Sequence, residues 1–347
     1  MDARFDFSLK HTSRVVMQRS AEALLPDVLS SLSPHGVVVV HDAALAAVAA
    51  RVGAALGATA VLAIPGDEAS KQLGAVDALA RRLHEAGATR ATAVVAIGGG
   101  TITDLVGFVA SIYLRGVPFV SCPTTTLAMC DAALGGKNGV DHCGLKNRLG
   151  TIRQPDAIVM DPAWLETLPD ELFLEGLVEV AKKAAVLDAD RFAELEQLAS
   201  PLAARDLEAT ERAVSMAVEM KMAVVLEDER EGDRRRALNA GHTVGHAVES
   251  LAAGALRHGA AVAIGLVAEC RAADVDPSIT ARLDALLRAL GAPTAVPAEL
   301  RRPEALWELA RHDKKAARGE VWMYVPRQLG EGELTPLTLE TLHKALA

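Results

Sequence analysis

Aromatic side chains are scarce in this chain: Phe, Trp and Tyr together make up 3% of it. Its apolar half is therefore carried mainly by Ala, Val and Leu, which suits helices packed on a buried parallel sheet. Basic residues are neither in excess nor gathered in a stripe. The net charge of −9 argues against nucleic acid as a main partner. It does not exclude a site that concentrates its own Lys and Arg around a small anion. No stretch approaches ~20 uninterrupted apolar residues, so no membrane span is expected. The opening residues, MDARFDFSLKHTSRVV, carry charges throughout and lack the apolar core of a signal peptide. Cys122, Cys130, Cys143 and Cys270 form no CxxC, no zinc ribbon and no disulfide framework, which fits reduced thiols in the cytoplasm. Internal repeats and low-complexity linkers are also missing.

What is present is a change of pattern part-way along the chain. A length of 347 residues suits two domains. Apolar runs at 36–42, 59–66, 91–100, 118–126 and 156–161 read as strands, with helical periodicity between them, for example over 71–87. Such alternation predicts a doubly wound, Rossmann-like parallel sheet. Beyond residue 161 strand signals nearly vanish, apart from a β-rich patch at 320–330. We therefore expect an α/β domain over 1–161 and a mainly helical domain over 162–347, packed around a shared cleft.

Three groups of residues are candidates for chemistry. IGGGTITDLVGF (97–108) runs from a strand through three glycines into a helix, where backbone N–H groups and the dipole favour a phosphate. It is not GxGxxG, and alone it serves a plain tight turn equally well. PTTT (123–126) adds hydroxyls at the same sheet edge. GHTVGHAVE (241–249) places His242 and His246 four apart on a helix, and His258 follows. HTVGH lacks the Glu of HExxH, so a zinc protease is not indicated. Glu179, three residues before Lys182, offers a carboxylate to complete a two-His, one-acid metal site. The plainer alternative is a surface Glu179–Lys182 pair beside ordinary polar histidines. Lys137 and Lys146 stand in a Gly- and Asn-rich loop after the fourth strand, where solvation of a helix face does not explain them.

The order of these pieces resembles a known family. GGGTITDLVGF, YLRG, PTTT, DAALGGK, LKN, GLVEVAKK, DERE, LNAGHTVGHAVE, HGAAVAIG and DKK follow the 3-dehydroquinate synthase pattern, within the sugar phosphate cyclases, over roughly residues 36–330. The resemblance implies an NAD- and metal-dependent lyase. It would oxidise a ring hydroxyl transiently, expel phosphate, return the hydride and close a carbocycle by an aldol step. It implies Glu179, His242 and His258 as ligands of Zn²⁺ or Co²⁺, with His246 touching substrate rather than metal. Gly99, Gly100, Asp104, Thr124 and Thr125 match the NAD site, and Asp42, Asp67, Glu68, Lys71, Lys146 and Thr167 match further nucleotide contacts. Asp131, Lys137, Asn147, Lys182, Lys221, Arg235, Asn239, His246 and Lys314 match the substrate pocket. Arg115 matches a residue that reaches the neighbouring subunit's site, implying a homodimer.

Within the cyclases, Lys221 and Arg235 match positions facing a substrate carboxylate, and the pair Asn239 and His246 sides with dehydroquinate synthase. A spacing of four puts Arg235 and Asn239 on one face if the segment is helical. Departures from the pattern are Ala260 where Glu usually follows His-Gly, Lys183 where Tyr is common, Arg153 near a usually aromatic or His position, and Ala128 and Met129 where Ser and Gln are frequent. These leave a specialised cyclase open as an alternative, acting on an amino analogue, sedoheptulose 7-phosphate or glucose 6-phosphate. A metal-dependent polyol dehydrogenase and a non-enzymatic binding module are the more distant rivals.

Overall fold

Val38, Val39 and Val40 are fully buried and Val37 nearly so, which requires cover on both faces of their strand. The computed structural model, which describes residues 11–230, 232–312 and 320–346, supplies that cover. Strands β1 (Arg14–Met17), β2 (Gly36–Asp42), β3 (Ala60–Ile64), β4 (Thr92–Gly98) and β5 (Phe119–Pro123) precede a hairpin of β6 (Lys137–His142) and β7 (Leu145–Ile152), then β8 (Ala157–Met160). Six of them form one parallel sheet in the order β1-β8-β5-β4-β2-β3. β3 follows β2 to one side, whereas β4 pairs on the other side of β2. The order therefore reverses between β2 and β4, and ligands of open α/β sheets bind at the carboxyl ends beside such a switch.

Helices α1 (Leu25–Leu32), α2 (Ala46–Ala55), α3 (Leu73–Glu85) and α4 (Gly100–Ile112) connect these strands. On α3 the buried residues are Val76, Leu79 and Leu83, a single stripe, and they join a core that includes Val38, Val94, Ile102 and Phe119. Two elements differ from the sequence reading. β1 is only four residues long and carries Arg14, yet it pairs in register with β8 from Arg14↔Ala157 to Met17↔Met160. The segment read as a loop after the fourth strand is the antiparallel β6–β7 hairpin, whose Gly139 and Gly150 backbones lie too close for side chains.

The chain divides into two compact units, residues 1–124 with 136–161, and residues 125–135 with 162–347. The second contains α5 (Asp170–Leu187), α6 (Ala189–Ala203), α7 (Leu207–Glu227), α8 (His242–Leu251), α9 (His258–Ala272), α10 (Pro277–Ala289), α11 (Pro303–His312), the hairpin β9 (Val321–Gln328) and β10 (Glu331–Leu337), and α12 (Leu339–Leu346). α5 starts after Pro169 with Asp170 and Glu171 in its first turn, which suits the helix dipole. From Glu175 to Val186 it is buried on every side, so its polar residues there need partners inside the protein. α8 and α9 cross closely because glycines line the contact. A Cβ on Gly245 would lie 2.9 Å from the Ala261 carbonyl, and one on Gly265 would lie 2.0 Å from that of Gly241.

Candidate active site

Burial of α5 brings Glu179, Lys182 and Lys183 onto one inward face at spacings of three and four. Glu179 and Lys182 are each 1% exposed, so their ion pair lies in the interior and is not the surface pair that the sequence alone allowed. Lys182 Nζ also donates to the Leu238 carbonyl at 2.5 Å. The second carboxylate oxygen, Glu179 Oε1, is buried without a hydrogen-bond partner. It faces His242 Nε2 at 3.7 Å and His258 Nε2 at 4.0 Å.

Both imidazoles are turned by their other nitrogen. His242 Nδ1 lies 3.1 Å from the Ala240 carbonyl, which can only accept, so Nδ1 carries the proton and Nε2 presents its lone pair. His258 Nδ1 is held at 3.1 Å by Glu249 Oε2. Each ligand candidate therefore has an outer partner of the kind metal-binding histidines use. A lone carboxylate oxygen and two directed imidazoles, all within 4.8 Å of one another, fit a Zn²⁺ or Co²⁺ ion. Burial works to raise the Glu179 carboxyl, but Lys182 and Lys183 outweigh it and hold it below the usual range. Burial lowers His258, but the bond to Glu249 and the charge of Glu179 raise it overall. His246 sits beside this set, its ring 5.0 Å from that of His242 and 5.8 Å from that of His258.

Glu249, absent from the residues singled out in the sequence, thus holds the outer nitrogen of His258. Glu269 was also missed. It is 1% exposed, and its carboxylate accepts the backbone N–H groups of Gly241 and Val244, each at 2.8 Å. That caps the start of α8, where Gly241 has φ +75, and so fixes His242. An acid in the middle of an apolar helix, as in GLVAEC, was the available signal.

Beside the metal set in the same unit is a group of cations. Asp131, in the turn Ala128–Ala132, has one carboxylate oxygen 2.9 Å from both Lys183 Nζ and Lys221 Nζ. Burial would raise Asp131, but Lys183 and Lys221 hold it well below the usual range. Burial pushes Lys221 down to about 8 against the pull of Asp131. Arg235 is 2% exposed, although its neighbours Arg234 and Arg236 face solvent, and it donates to the carbonyls of Glu229 and Gly135. Arg234–Asn239 forms a 3₁₀ turn rather than an α-helix, so the expected shared face of Arg235 and Asn239 does not arise from helical spacing. Thr125 caps the Ala128 N–H, Thr167 is exposed before α5, and Lys314 lies outside the described residues.

The remaining expected residues lie in the first unit, most of them after the carboxyl ends of β2, β3, β4 and β5. Asp42 ends β2 and caps Ala44, and its carboxylate lies where a Cβ on Gly66 would sit, 1.9 Å from Oδ2. Gly99 and Gly100 open α4, and Thr124 follows β5 with its N–H on the Gly98 carbonyl. Glu68 accepts from Thr101, while Asp67 spends its carboxylate on Ser70. Lys71, 4% exposed, bridges Asp104 at 2.6 Å and Asn147 at 2.7 Å. A helix N-terminus flanked by these acids at the switch point fits a dinucleotide. Lys137 and Lys146 are exposed on the β6–β7 hairpin, and Arg115, with φ +67, is exposed just after α4.

Known proteins match the chain over most of its length. Residues 61–175 match the description "3-dehydroquinate synthase N-terminal", and residues 176–316 match "3-dehydroquinate synthase C-terminal". A 3-dehydroquinate synthase of Lactiplantibacillus plantarum is 42% identical over 287 residues, covering 81% of this chain and 79% of the relative. The structure is similar to that of the 2-epi-5-epi-valiolone synthase ValA from Streptomyces hygroscopicus subsp. jinggangensis, solved with NAD⁺ and Zn²⁺ bound, with a TM-score of 0.87 at 28% identity, covering 99% of this chain and 98% of that one. It is also similar to a 2-deoxy-scyllo-inosose synthase complexed with carbaglucose-6-phosphate, NAD⁺ and Co²⁺, with a TM-score of 0.84 at 25% identity and coverage of 96% and 95%.

Proposed function

The chain belongs to the 3-dehydroquinate synthase family, and from that premise we propose that it converts a 3-deoxy-heptulosonate 7-phosphate to 3-dehydroquinate with loss of phosphate. It is a phosphate-eliminating lyase of that type, working with NAD and a divalent metal. Bound together, the two supply reversible oxidation of one ring hydroxyl and polarisation of its oxygen. The rest falls to side chains. Glu179, His242 and His258 hold the metal, oriented by Glu249, Ala240 and Glu269. The strand ends around Gly99, Gly100, Asp42 and Asp104 hold the nucleotide. His246, Lys182 and Asn239 line the reacting end of the sugar. Elimination and ring closure need a held conformation and a proton acceptor more than a nucleophile.

The observation that carries the choice of substrate is a charge imbalance. Lys182, Lys183, Lys221 and Arg235 are buried, against the two carboxylates Glu179 and Asp131 beside them. With Lys182 paired to Glu179 and Lys183 to Asp131, Lys221 and Arg235 remain in excess, and a substrate carrying a carboxylate beside its phosphate meets their charge. Lys221 and Arg235 take the carboxylate in this reading. Truncating Arg235 removes a charge-assisted contact worth roughly 2–5 kcal/mol in a desolvated pocket. We expect Arg235→Ala to lower kcat/KM about thirtyfold to several thousandfold for the heptulosonate, with little effect on sedoheptulose 7-phosphate. Equal effects on both sugars refute it.

The working form is proposed to be a homodimer in the cytoplasm. Arg115 follows exposed Ile112 and Leu114, and the β6–β7 hairpin exposes Leu145 and Ile152, apolar surface that a second copy would cover. Four free cysteines suit a reducing compartment. Sedimentation at micromolar protein gives the assembly directly.

A further inference from the structure

Lys183 has been given no part in holding substrate, NAD or metal, yet it is among the most deeply buried side chains of the protein, at 0% exposure. Its ammonium lies 2.9 Å from Asp131 Oδ1, donates to the Cys130 carbonyl at 3.2 Å, and stands 3.6 Å from Glu179 Oε2. Lys221 approaches the same Asp131 oxygen at 2.9 Å and donates to the Asp131 carbonyl at 2.6 Å. Two ammonium groups thus share one carboxylate oxygen, one reaching it from α5 and one from α7.

The two lysines are not equivalent. Lys183 has no exposed surface, so no ligand can reach it. Lys221 retains some, and it is the cation read above as gripping the substrate carboxylate. If Lys221 turns to that carboxylate, it weakens its hold on Asp131, and a carboxylate in this pocket cannot be left without a counter-charge. We propose that Lys183 is a positioning residue, the standing counter-ion of Asp131, which leaves Lys221 free to bind the carboxylate of the sugar phosphate. The proposal rests on the reading of Lys221 given above. Lys182 acts on Asp131 only from farther off, because its ammonium is hydrogen-bonded to Glu179 and the Leu238 carbonyl.

The test compares Lys183→Met, which keeps length and loses charge, with Lys183→Arg, which keeps charge. Phosphate release is measured at saturating NAD and metal. Lys183→Met is expected to raise KM for the 3-deoxy-heptulosonate 7-phosphate about ten- to a hundredfold with kcat within about threefold. Lys183→Arg should restore most of the loss, and sedoheptulose 7-phosphate should show little change in KM. A purely structural role would lower kcat through loss of folded enzyme, spare KM, and show no rescue. An unchanged KM, or an Arg variant no better than Met, overturns the proposal. A second arm needs no turnover. Lys183→Met should lower the thermal midpoint clearly in the parent chain and much less in an Asp131→Asn background, and it should be recovered by Asp131→Asn if the single variant fails to fold. Additive midpoints overturn the pairing. If the parent enzyme releases no phosphate from the heptulosonate, the substrate reading fails, and the thermal arm still decides the role of Lys183.

Discussion

A methyl group at position 265 is the sharpest perturbation of the metal set that leaves every proposed ligand in place. A Cβ at Gly265 would sit 2.0 Å from the Gly241 carbonyl oxygen and 2.6 Å from the Gly245 nitrogen, well inside ordinary contact. Both obstacles are backbone, so no rotamer change relieves them, and α9 must retreat from α8 by roughly 1 Å. His242 starts one of these helices and His258 starts the other. The retreat therefore spreads two of the three ligands. Overpacking of this kind costs about 1–3 kcal/mol, and disturbing the support of a metal site weakens it about 10–100-fold. Gly74→Ala is the control. Nothing lies within 4 Å of its Cβ, and its place in α3 predicts stabilisation by about 0.5–1 kcal/mol. Zn²⁺ affinity by competition with a colorimetric chelator, together with thermal unfolding, reads both effects. Native affinity and an unchanged midpoint in Gly265→Ala would refute the close crossing as the support of the site.

Other outcomes follow from the charges and caps. With Lys221 at about 8 and its ammonium needed for the carboxylate, kcat/KM should fall as pH rises through about 8. The stability contribution runs the other way. The folded form carries fewer protons between about 8 and 10.5, so relief of the buried charge stabilises it as pH rises across that window. Opposite trends in kcat/KM and in the thermal midpoint check the pair of signs. Glu249→Ala should weaken metal binding about 10–100-fold, by freeing the His258 ring, and leave NAD affinity unchanged; equilibrium dialysis with each ligand separates the two. His258→Ala should abolish phosphate release with the circular dichroism spectrum preserved.

Much of this was legible in the chain because repeated apolar runs and glycine positions have few structural meanings. GVVVVHD is a buried parallel strand, and IGGG leads from β4 into α4 at the carboxyl end of the strand. The parts that were hidden depend on tertiary context. β1 has four residues and an Arg, too little pattern to announce a strand, and it is fixed by pairing with β8. The β6–β7 hairpin hides behind Gly139 and Gly150, which serve close backbone approach rather than a loop. Arg234, Arg235 and Arg236 look alike in sequence, and only the 3₁₀ turn shows that the middle one is buried. Spacing alone pairs His242 with His246; it cannot reveal that Glu179 Oε1 faces His242 and His258 from a different helix. Glu249 and Glu269 act through other residues, a role that composition does not signal.

In the proposed reaction the oxidation is undone within each turnover. The most direct test supplies the protein with Zn²⁺ or Co²⁺, a 3-deoxy-heptulosonate 7-phosphate, and NAD at a small fraction of the substrate concentration. Phosphate and the absorbance of NADH are followed together. Many phosphates released per NAD, with no steady rise in NADH, is the predicted result. NADH accumulating in proportion to substrate consumed, without phosphate, would contradict it and identify a polyol dehydrogenase instead.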